Sequence, residues 1–196
     1  MQLDHGSRGF SFSKEGPLDM RMDPTSPVTA KEIVNTYSEE KLSKIFWEFG
    51  EEPGGRKVAR AIVEARRKRP IETTKELVDV ILSAVGRFIR KGLHPATLIF
   101  QALRICVNRE LEAVQTALRK AIKLARPGGV LSVISFHSLE DRIVKNMFRD
   151  GTIKILAGEF EQLPVLKLLT KKPITATREE LRINPRASSA NNFCKE

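Results

Sequence analysis

The residues best suited to chemistry lie in the segment Ser135-Phe-His-Ser-Leu-Glu-Asp141. His137 follows the apolar run 130–136 and so lies at the carboxyl end of a predicted strand, the edge at which open α/β sheets bind ligands. Glu140 and Asp141 could approach a cation beside it, but acids are also favoured in the first turn of a helix. Because no metal-ligand spacing is present, we predict no metal site.

The surroundings of His137 also argue against a serine hydrolase. Ser135 and Ser138 are close to it in sequence, but there is no G-x-S-x-G elbow and no third partner. The phosphate fingerprints G-x-G-x-x-G after a strand and G-x-x-x-x-G-K-[ST] are absent from the sequence as well. Short motifs alone therefore identify neither a hydrolase nor a nucleotide site.

The segment before the first helix combines charges and aromatic rings. Guanidinium groups beside stacking surfaces suit an unpaired base and its phosphate. The alternative is a loop held in place by its own Phe and Met side chains, with its Arg and Asp residues paired internally. The residues concerned are His5, Arg8, Phe10, Phe12, Asp19, Arg21 and Asp23.

The overall charge favours a polyanionic partner. Lys and Arg outnumber Asp and Glu by 34 to 24, which gives a net charge of +10 and a pI near 9.9. Arg66-Arg-Lys-Arg69, with basic residues 56, 57 and 60, predicts a basic helix face that either contacts phosphates or is simply solvated. The distant Cys106 and Cys194, and the lack of a signal peptide or an apolar run of about 18 residues, indicate a reduced, cytoplasmic, membrane-free chain.

Helix start signals dominate the first half of the chain. Thr29, Ser38 and Thr73 are each placed to cap a helix, and a further helix is predicted over Gly55–Lys68. These four short helices, without a strand, predict a small all-α unit. The amphipathic pattern over 96–126 would make a helix about 46 Å long, so we predict a break near Asn108.

The second half predicts a sheet. The run 130–136 lacks alternation and is predicted to be buried on both faces of a parallel sheet, followed by a helix with Ser138 as N-cap and Asp141 three residues on. Further strands are predicted at Ile153–Leu156 and Val165–Leu169, and another helix cap at residue 177. Since nothing before Val130 reads as a strand, the predicted sheet is incomplete as given.

Nine segments occur in an order that is typical of one family. They are Gln2-Leu-Asp4, Arg8-Gly-Phe-Ser-Phe12, Gly16-Pro-Leu-Asp-Met-Arg-Met-Asp23, Gly50-Glu-Glu52, Phe100-Gln-Ala-Leu-Arg-Ile105, Asn108-Arg-Glu-Leu111, Pro127-Gly-Gly129, Ser135-Phe-His-Ser-Leu-Glu-Asp-Arg-Ile-Val-Lys145 and Asn184-Pro-Arg-Ala187. Together they resemble the ribosomal RNA small-subunit methyltransferase H family, also called MraW. After residue 190 the family's Lys-Leu-Arg continuation is replaced by 191–196, a departure that puts the family's last strand in doubt here and is typical of a truncated or frameshifted end.

The resemblance implies an α/β, Rossmann-like S-adenosylmethionine-dependent methyltransferase fold, incomplete, with an inserted all-helical domain. It divides the chain into an active-site loop (1–27), the inserted helical domain (28–93) and the C-terminal part of the methyltransferase domain (94–196). The family methylates the N4 amino group of a cytidine in the decoding region of small-subunit (16S) ribosomal RNA. Its glycine-rich cofactor loop and ribose-binding acid would lie upstream of Met1, so Gln2 is the one cofactor contact that carries over.

The resemblance also implies roles for particular residues. Asp19 is the candidate for orienting the reacting amino group, and His137 is a candidate for contacting base or cofactor. The residues expected to contact RNA are Arg8, Phe10, Phe12, Arg21, Arg142 and Arg186. The expected partners are small-subunit ribosomal RNA or the assembled small subunit, and a missing N-terminal half.

Two rival interpretations remain at this stage. One is a truncated, catalytically inactive fragment that only binds RNA or the ribosome. The other is a helical DNA-binding protein with a helix-turn-helix, which the sequence disfavours because no helix shows a polar recognition face beside a tight turn.

Overall fold

The computed structural model describes residues 8–86, 93–150, 155–157, 160–162, 166–167, 169–170 and 172–195. The chain forms two compact units, residues 1–110 and 111–196, and each is described separately. The helices and strands are α1 (Ala30–Thr36), α2 (Glu39–Glu48), α3 (Gly55–Lys68), α4 (Thr74–Val85), α5 (Ala96–Asn108), α6 (Glu110–Leu124), β1 (Leu131–Ser135), α7 (Ser138–Asp150), β2 (Ile155–Ala157), β3 (Phe160–Gln162), β4 (Ile174–Thr175), α8 (Arg178–Ile183), a 3-10 helix (Pro185–Ser189) and β5 (Asn191–Lys195).

The predicted helix starts in the first unit are confirmed. Thr29, Ser38 and Thr73 each accept a hydrogen bond from the backbone N–H three residues on, which satisfies a donor that the helix itself leaves unpaired. At Thr73 the exchange is reciprocal, because the Glu76 carboxylate accepts from the Thr73 N–H. Helix α3 has the predicted bounds, Gly55–Lys68.

A single hydrophobic cluster holds the first unit together. The fully buried Phe46 of α2, Ile62 of α3, Leu77 of α4 and Leu103 of α5 belong to it, so α5 joins the helices that precede it. Helices α2 and α3 approach closely at Gly55, where a Cβ atom would lie 2.8 Å from the Phe46 Cβ. Within residues 29–86, which are all described, the unit contains four helices and no strand, as predicted.

The predicted break in the long helical pattern is confirmed next to Asn108. Helix α5 ends at Asn108, Arg109 takes a left-handed conformation with φ 50°, and α6 begins at Glu110. The Arg104 guanidinium spans the break by donating to both carboxylate oxygens of Glu110, at 2.8 and 2.9 Å. This bidentate pair offsets part of the strain of a non-glycine residue at positive φ.

The second unit contains a small antiparallel sheet. Strand β5 lies between β1 and β4, and it pairs with β1 in a register that places Leu131 opposite Lys195 and Ser135 opposite Asn191. The described strands β2 and β3 form a separate antiparallel pair. The altered sequence at 191–196 put a last strand in doubt, but residues 191–195 form strand β5. Its polar residues Asn191 and Asn192 are held in the strand by backbone pairing with both β1 and β4.

The prediction that the first strand is buried on both faces of a parallel sheet is wrong for this structure. Leu131 and Val133 pack against buried residues 118, 144 and 148 of α6 and α7, whereas the side chain of Ile134 is 59% exposed. The described helices cover one face of β1, and the described neighbour of β1 is antiparallel. An apolar run broken only by Ser132 and Ser135 therefore does not establish burial on both faces, since Ile134 is apolar and exposed.

The two later strand predictions have different outcomes. The strand expected at 153–156 falls at Ile155–Ala157, with 151–154 outside the described residues. The strand expected at 165–169 is wrong where the structure describes it, because residues 166, 167 and 169 lie outside any strand. The predicted cap at Thr177 is confirmed by its hydrogen bond from the Glu180 N–H. None of the described helices is long and apolar enough to cross a membrane.

The capping box of α4 yields a first prediction. Thr73→Ala removes the hydroxyl that accepts the Glu76 N–H, and we expect the free energy of unfolding to fall by about 0.5–2 kcal/mol. Thr73→Ser keeps the hydroxyl and should lose much less. Urea denaturation monitored by far-ultraviolet circular dichroism measures the free energy of unfolding of both variants. An equal loss of stability in the two variants would show that the threonine methyl group is the stabilising element.

Candidate functional site

The segment 8–27, which we call the entry loop, is fastened to the first helix. The backbone N–H groups of Ala30 and Lys31 donate to the carbonyl oxygens of Asp19 and Leu18, at 2.9 and 2.6 Å. The side chains of Leu18 and Met20 are buried at 1% and 0% exposure. These contacts support the alternative that the sequence left open, a loop held in place by its own apolar side chains.

Asp19 and Arg21 form a closed pair inside the entry loop. Arg21 Nε and Nη2 donate to the two carboxylate oxygens of Asp19 at 2.8 Å each, and the Arg21 backbone N–H adds a third bond at 3.0 Å. Arg21 Nη1 donates to the carbonyls of Pro24 and Ser26 at 2.8 Å. Three of the roughly four acceptor positions of a carboxylate are thus used by Arg21.

The electrostatics of this pair follow from its geometry. The hydrogen bonds from the Arg21 side chain hold the pKa of the Asp19 carboxyl below its ordinary value, with burial opposing them. The Asp19 side chain is 31% exposed and that of Arg21 is 24% exposed, so the pair lies at the surface of the loop. Asp19 is consequently a partly accessible carboxylate that stays ionised at neutral pH.

Arg8 and Phe10 lie against the same loop. Arg8 Nη2 donates to the carbonyls of Arg21 and Met22 at 2.6 and 3.0 Å, and its guanidinium lies 5.7 Å from the centroid of the Phe10 ring. The Phe10 side chain is 9% exposed and belongs to the core of the first unit. The structure therefore brings four of the predicted residues together, at positions 8, 10, 19 and 21, chiefly through contacts with the loop itself.

Phe12 lies in an aromatic stack that sequence reasoning missed. Its ring is parallel to that of His94, with centroids 4.8 Å apart and planes 15° apart, and it meets Phe100 edge-on at 5.7 Å. His94 Nδ1 also accepts the Ala96 N–H at 3.1 Å, at the start of α5. A base stacking on Phe12 would therefore use a ring that already has one face on His94. The only sequence signal for His94 was its place before a proline at a helix start.

Asn108 joins the entry loop to the end of α5. Its side-chain Oδ1 accepts the Met22 N–H at 2.6 Å, and Nδ2 donates to the carbonyls of Met20 and Arg104 at 2.8 Å each. One amide thus satisfies two backbone groups of the loop and one of the helix. The position of the loop depends on the residue at which α5 ends.

In the second unit, His137 rather than Ser138 caps helix α7, which corrects the predicted N-cap. Ser138 is the first helical residue, and His137 Nδ1 accepts the Glu140 N–H in a long bond of 3.4 Å. Glu140 reaches back with Oε2 to the Phe136 N–H at 2.8 Å, and its Oε1 lies 3.5 Å from His137 Nε2. The His137 side chain is only 11% exposed. The Asp141 N–H, which the Ser138 hydroxyl was expected to bind, donates instead to the His137 carbonyl oxygen at 3.1 Å, so the helix begins one residue earlier than predicted.

The acid predicted to complete that cap has a different role. The Asp141 carboxylate accepts a short hydrogen bond from the Ser135 hydroxyl and one of 2.9 Å from Asn191 Nδ2. The Ser135 side chain is buried and also lies 3.3 Å from the Asn191 carbonyl oxygen. These bonds tie the end of β1 and the start of β5 to helix α7. Asn191 was missed because its partners are about 50 positions away in sequence.

The remaining predicted residues are distributed as follows. Arg142 is exposed on α7, Arg186 is part of the 3-10 helix, and Gln2 lies outside the described residues. Asp19 belongs to the first unit and His137 to the second. In the part of the chain that the structure describes, no group of three or more His, Cys, Asp or Glu could hold a metal ion.

The Asp19–Arg21 pair predicts a pH-dependent stability. A carboxyl whose pKa is lowered by folding stabilises the fold above its unfolded pKa of about 4, and this contribution is lost as pH falls through the folded value. Asp19→Asn should lower the free energy of unfolding by about 1–2 kcal/mol at pH 7. This range already allows for the weakening of the ion pair by solvent, because both side chains are partly exposed. The difference from the parent should shrink below about pH 4.

Urea titrations at several pH values measure this effect, with Asp79→Asn on an exposed position of α4 as the control. A difference that persists unchanged at low pH would show that the ionised carboxylate is not what stabilises the loop.

The Asn108 contacts predict the effect of an isosteric change. Asn108→Asp keeps the size of the side chain but turns a carboxylate oxygen towards the carbonyl oxygens of Met20 and Arg104. We expect a loss of about 1–3 kcal/mol at neutral pH, at least as large as that of Asn108→Ala. Asn146→Asp, at an exposed site on α7, should change stability by less than about 0.5 kcal/mol. Equal effects at residues 108 and 146 would contradict the bonding described here.

Comparison with known proteins gives consistent results. The MraW methylase family matches the chain over residues 1–196. The ribosomal RNA small subunit methyltransferase H of Protochlamydia amoebophila (strain UWE25) is 50% identical over 196 residues, which cover 96% of this chain and 62% of that protein. The proteins of the same name from Thermomicrobium roseum and Carboxydothermus hydrogenoformans are each 48% identical and cover 96% of the chain.

The chain spans 60% to 63% of the length of these three relatives. The predicted membership of the MraW family is confirmed. The family match extends over residues 1–196, and the relatives are about half identical to the chain. The chain with the entry loop, its helical unit and the His137 segment belongs to the MraW methylase family.

Proposed function

We propose that the protein represented by this chain transfers a methyl group from S-adenosylmethionine to the N4 amino group of a cytidine in the decoding region of small-subunit ribosomal RNA. The observation that carries this proposal is the identity of 48–50% with relatives named ribosomal RNA small subunit methyltransferase H, over 96% of the chain. The net charge of +10 supports an RNA partner.

The proposed partners are small-subunit ribosomal RNA or the assembled small subunit, together with a protein segment that completes the methyltransferase. The proposed location is the cytoplasm, where such a substrate is found. The three-part division into 1–27, 28–93 and 94–196 and the incomplete Rossmann-like fold remain part of this proposal.

The methyl donor has little support among the described residues. They contain no glycine-rich turn after a strand that would hold its adenosine or carboxylate, and Gln2 lies outside them. The sulfonium group, when bound, would supply the methyl group. These residues do not fit a donor pocket, and we assign that pocket to the completing segment.

The chain's own share of the proposed reaction is to hold the RNA. The exocyclic amine of cytosine is a weak nucleophile because its lone pair is delocalised into the ring, so positioning provides much of the acceleration. The Asp19 carboxylate is ionised and partly exposed, which suits an acceptor for an amine N–H. His137 is a second candidate, since it lies at the carboxyl end of β1.

The proposed RNA contacts divide into two groups. Arg8, Arg21 and Phe10 are engaged within the entry loop, so they act first by shaping the surface on which RNA would lie. Arg142, Arg186 and Phe12 complete the predicted set, and Phe12 would offer an aromatic ring to a base.

The alternative function is an inactive fragment that only binds RNA or the ribosome. The share of 60–63% of the relatives' length favours it for the chain by itself. The enzyme would produce N4-methylcytidine and the inactive fragment would produce none, so one experiment separates the two functions.

The test uses two proteins, this chain and the same chain joined to the segment that precedes the matched region in the Protochlamydia amoebophila relative. Each is incubated with labelled S-adenosylmethionine and small subunits that lack the modification, and the RNA is digested to nucleosides for mass spectrometry. We expect N4-methylcytidine from the joined protein and RNA binding without transfer from the chain alone.

The controls sharpen this experiment. In the joined protein, Asp19→Asn should reduce transfer at least tenfold if Asp19 orients the amine, whereas Asp79→Asn should not. Label in another nucleoside, or no transfer by a folded joined protein, would overturn the proposed activity. Transfer by the chain alone would overturn the need for a completing segment.

A further inference from the structure

Helix α3 has two faces of opposite character. Val58, Ala59 and Ile62 are fully buried in the core of the first unit. A helix advances about 100° per residue, so the exposed positions fall within roughly 120° of arc on the other side. All six exposed residues are charged, five of them cationic: Arg56, Lys57, Arg60, Glu64, Arg67 and Lys68. We call this surface the α3 basic face.

Acidic neighbours neutralise only part of the α3 basic face. Arg60 Nε lies 3.1 Å from Glu64, the one acid within the face. Among the described residues no ion pair is formed by Lys57, Arg67 or Lys68. Three cations of this face are thus available to an external anion.

The helix backbone beneath the α3 basic face is held in place at both ends. Arg66 Nη1 donates to the Val34 carbonyl at 2.6 Å, which anchors the last turns of α3 to α1. Close contact between Gly55 and Phe46 fixes the first turn to α2. The backbone of α3 therefore needs no ordering when a ligand binds, and only the side chains of the face lose conformational freedom.

We propose that the α3 basic face binds the sugar–phosphate backbone of RNA without regard to base sequence. The identity of the nucleic acid rests on the proposed function, while the site itself rests on charge complementarity. From Arg56 to Lys68 the helix extends about 18 Å, which spans several phosphates of a strand. Arg and Lys side chains in such an array position a nucleic acid rather than read its bases.

The test measures RNA affinity in the full chain without any methyl donor. The probe is a fluorescein-labelled RNA hairpin with single-stranded tails. Its binding is measured by fluorescence anisotropy at salt concentrations between about 50 and 200 mM. The combined variant Lys57→Gln, Arg67→Gln and Lys68→Gln should bind at least roughly tenfold more weakly at about 0.1 M salt. The slope of log affinity against log salt concentration should be less steep by about 2 for this variant. Each lost phosphate contact lowers the magnitude of that slope by about 0.7–0.9.

A matched control exists on helix α6. Arg119→Gln, Lys120→Gln and Lys123→Gln remove one arginine and two lysines from exposed positions, the same change in type and net charge. This control should keep most of the RNA affinity. Equal losses of RNA affinity in both variants would mean that RNA binding depends on net charge alone, and would overturn the proposal.

Other outcomes also decide the question. Unchanged RNA affinity in a folded variant at positions 57, 67 and 68 would overturn the site. Loss of binding to a polyglutamate probe without loss of RNA binding would assign the face to an acidic protein instead. Because no methyl donor is present, failure of methyl transfer would leave this inference intact, and failure of RNA binding at α3 would leave the proposed activity intact.

Discussion

The side chain of Asn108 is the interaction on which the position of the entry loop depends. It ends helix α5 and joins that end to the entry loop through two hydrogen bonds, at 2.6 and 2.8 Å, and it makes a third of 2.8 Å to the Arg104 carbonyl within the helix. Arg109 leaves the helix at positive φ, a conformation that costs a non-glycine residue on the order of 1–3 kcal/mol. The Arg104–Glu110 pair spans that residue and helps to hold it.

The entry loop illustrates how residues that suit RNA chemistry also build the surface on which that chemistry would take place. Arg8 and Arg21 donate to loop carbonyls, and the Asp19 carboxylate is bound by Arg21. Ordering a free loop costs about 1–2 kcal/mol per residue, and here folding of the protein has already met that cost. A substrate would therefore meet a shaped surface, with charge already oriented.

The second unit is organised by a comparable polar junction. Asp141 binds Ser135 at the end of β1 and Asn191 at the start of β5, so one carboxylate links two strands to helix α7. His137 lies between these elements as the cap of α7. Because the imidazole is nearly buried and used in the cap, its place in any reaction is tied to the geometry of the helix start.

The sequence by itself determined the helices of the first unit, the break near Asn108 and the family. Capping is local, since Thr29, Ser38, Thr73 and Thr177 each bind an amide three residues away, and it can be read without knowing the fold. Only the tertiary structure decided which face of β1 is exposed and that residues 191–195 form a strand. It also decided that Phe12 stacks on His94 and that the side chains of Arg21 and Asp141 form hydrogen bonds within the protein. The bonds that Asn108 makes to Met20 and Ser135 makes to Asn191 join positions 88 and 56 residues apart. The packing of helices and strands determines which distant residues form hydrogen bonds with each other. A local sequence pattern shows residue types but not the residues that lie beside them in the folded chain.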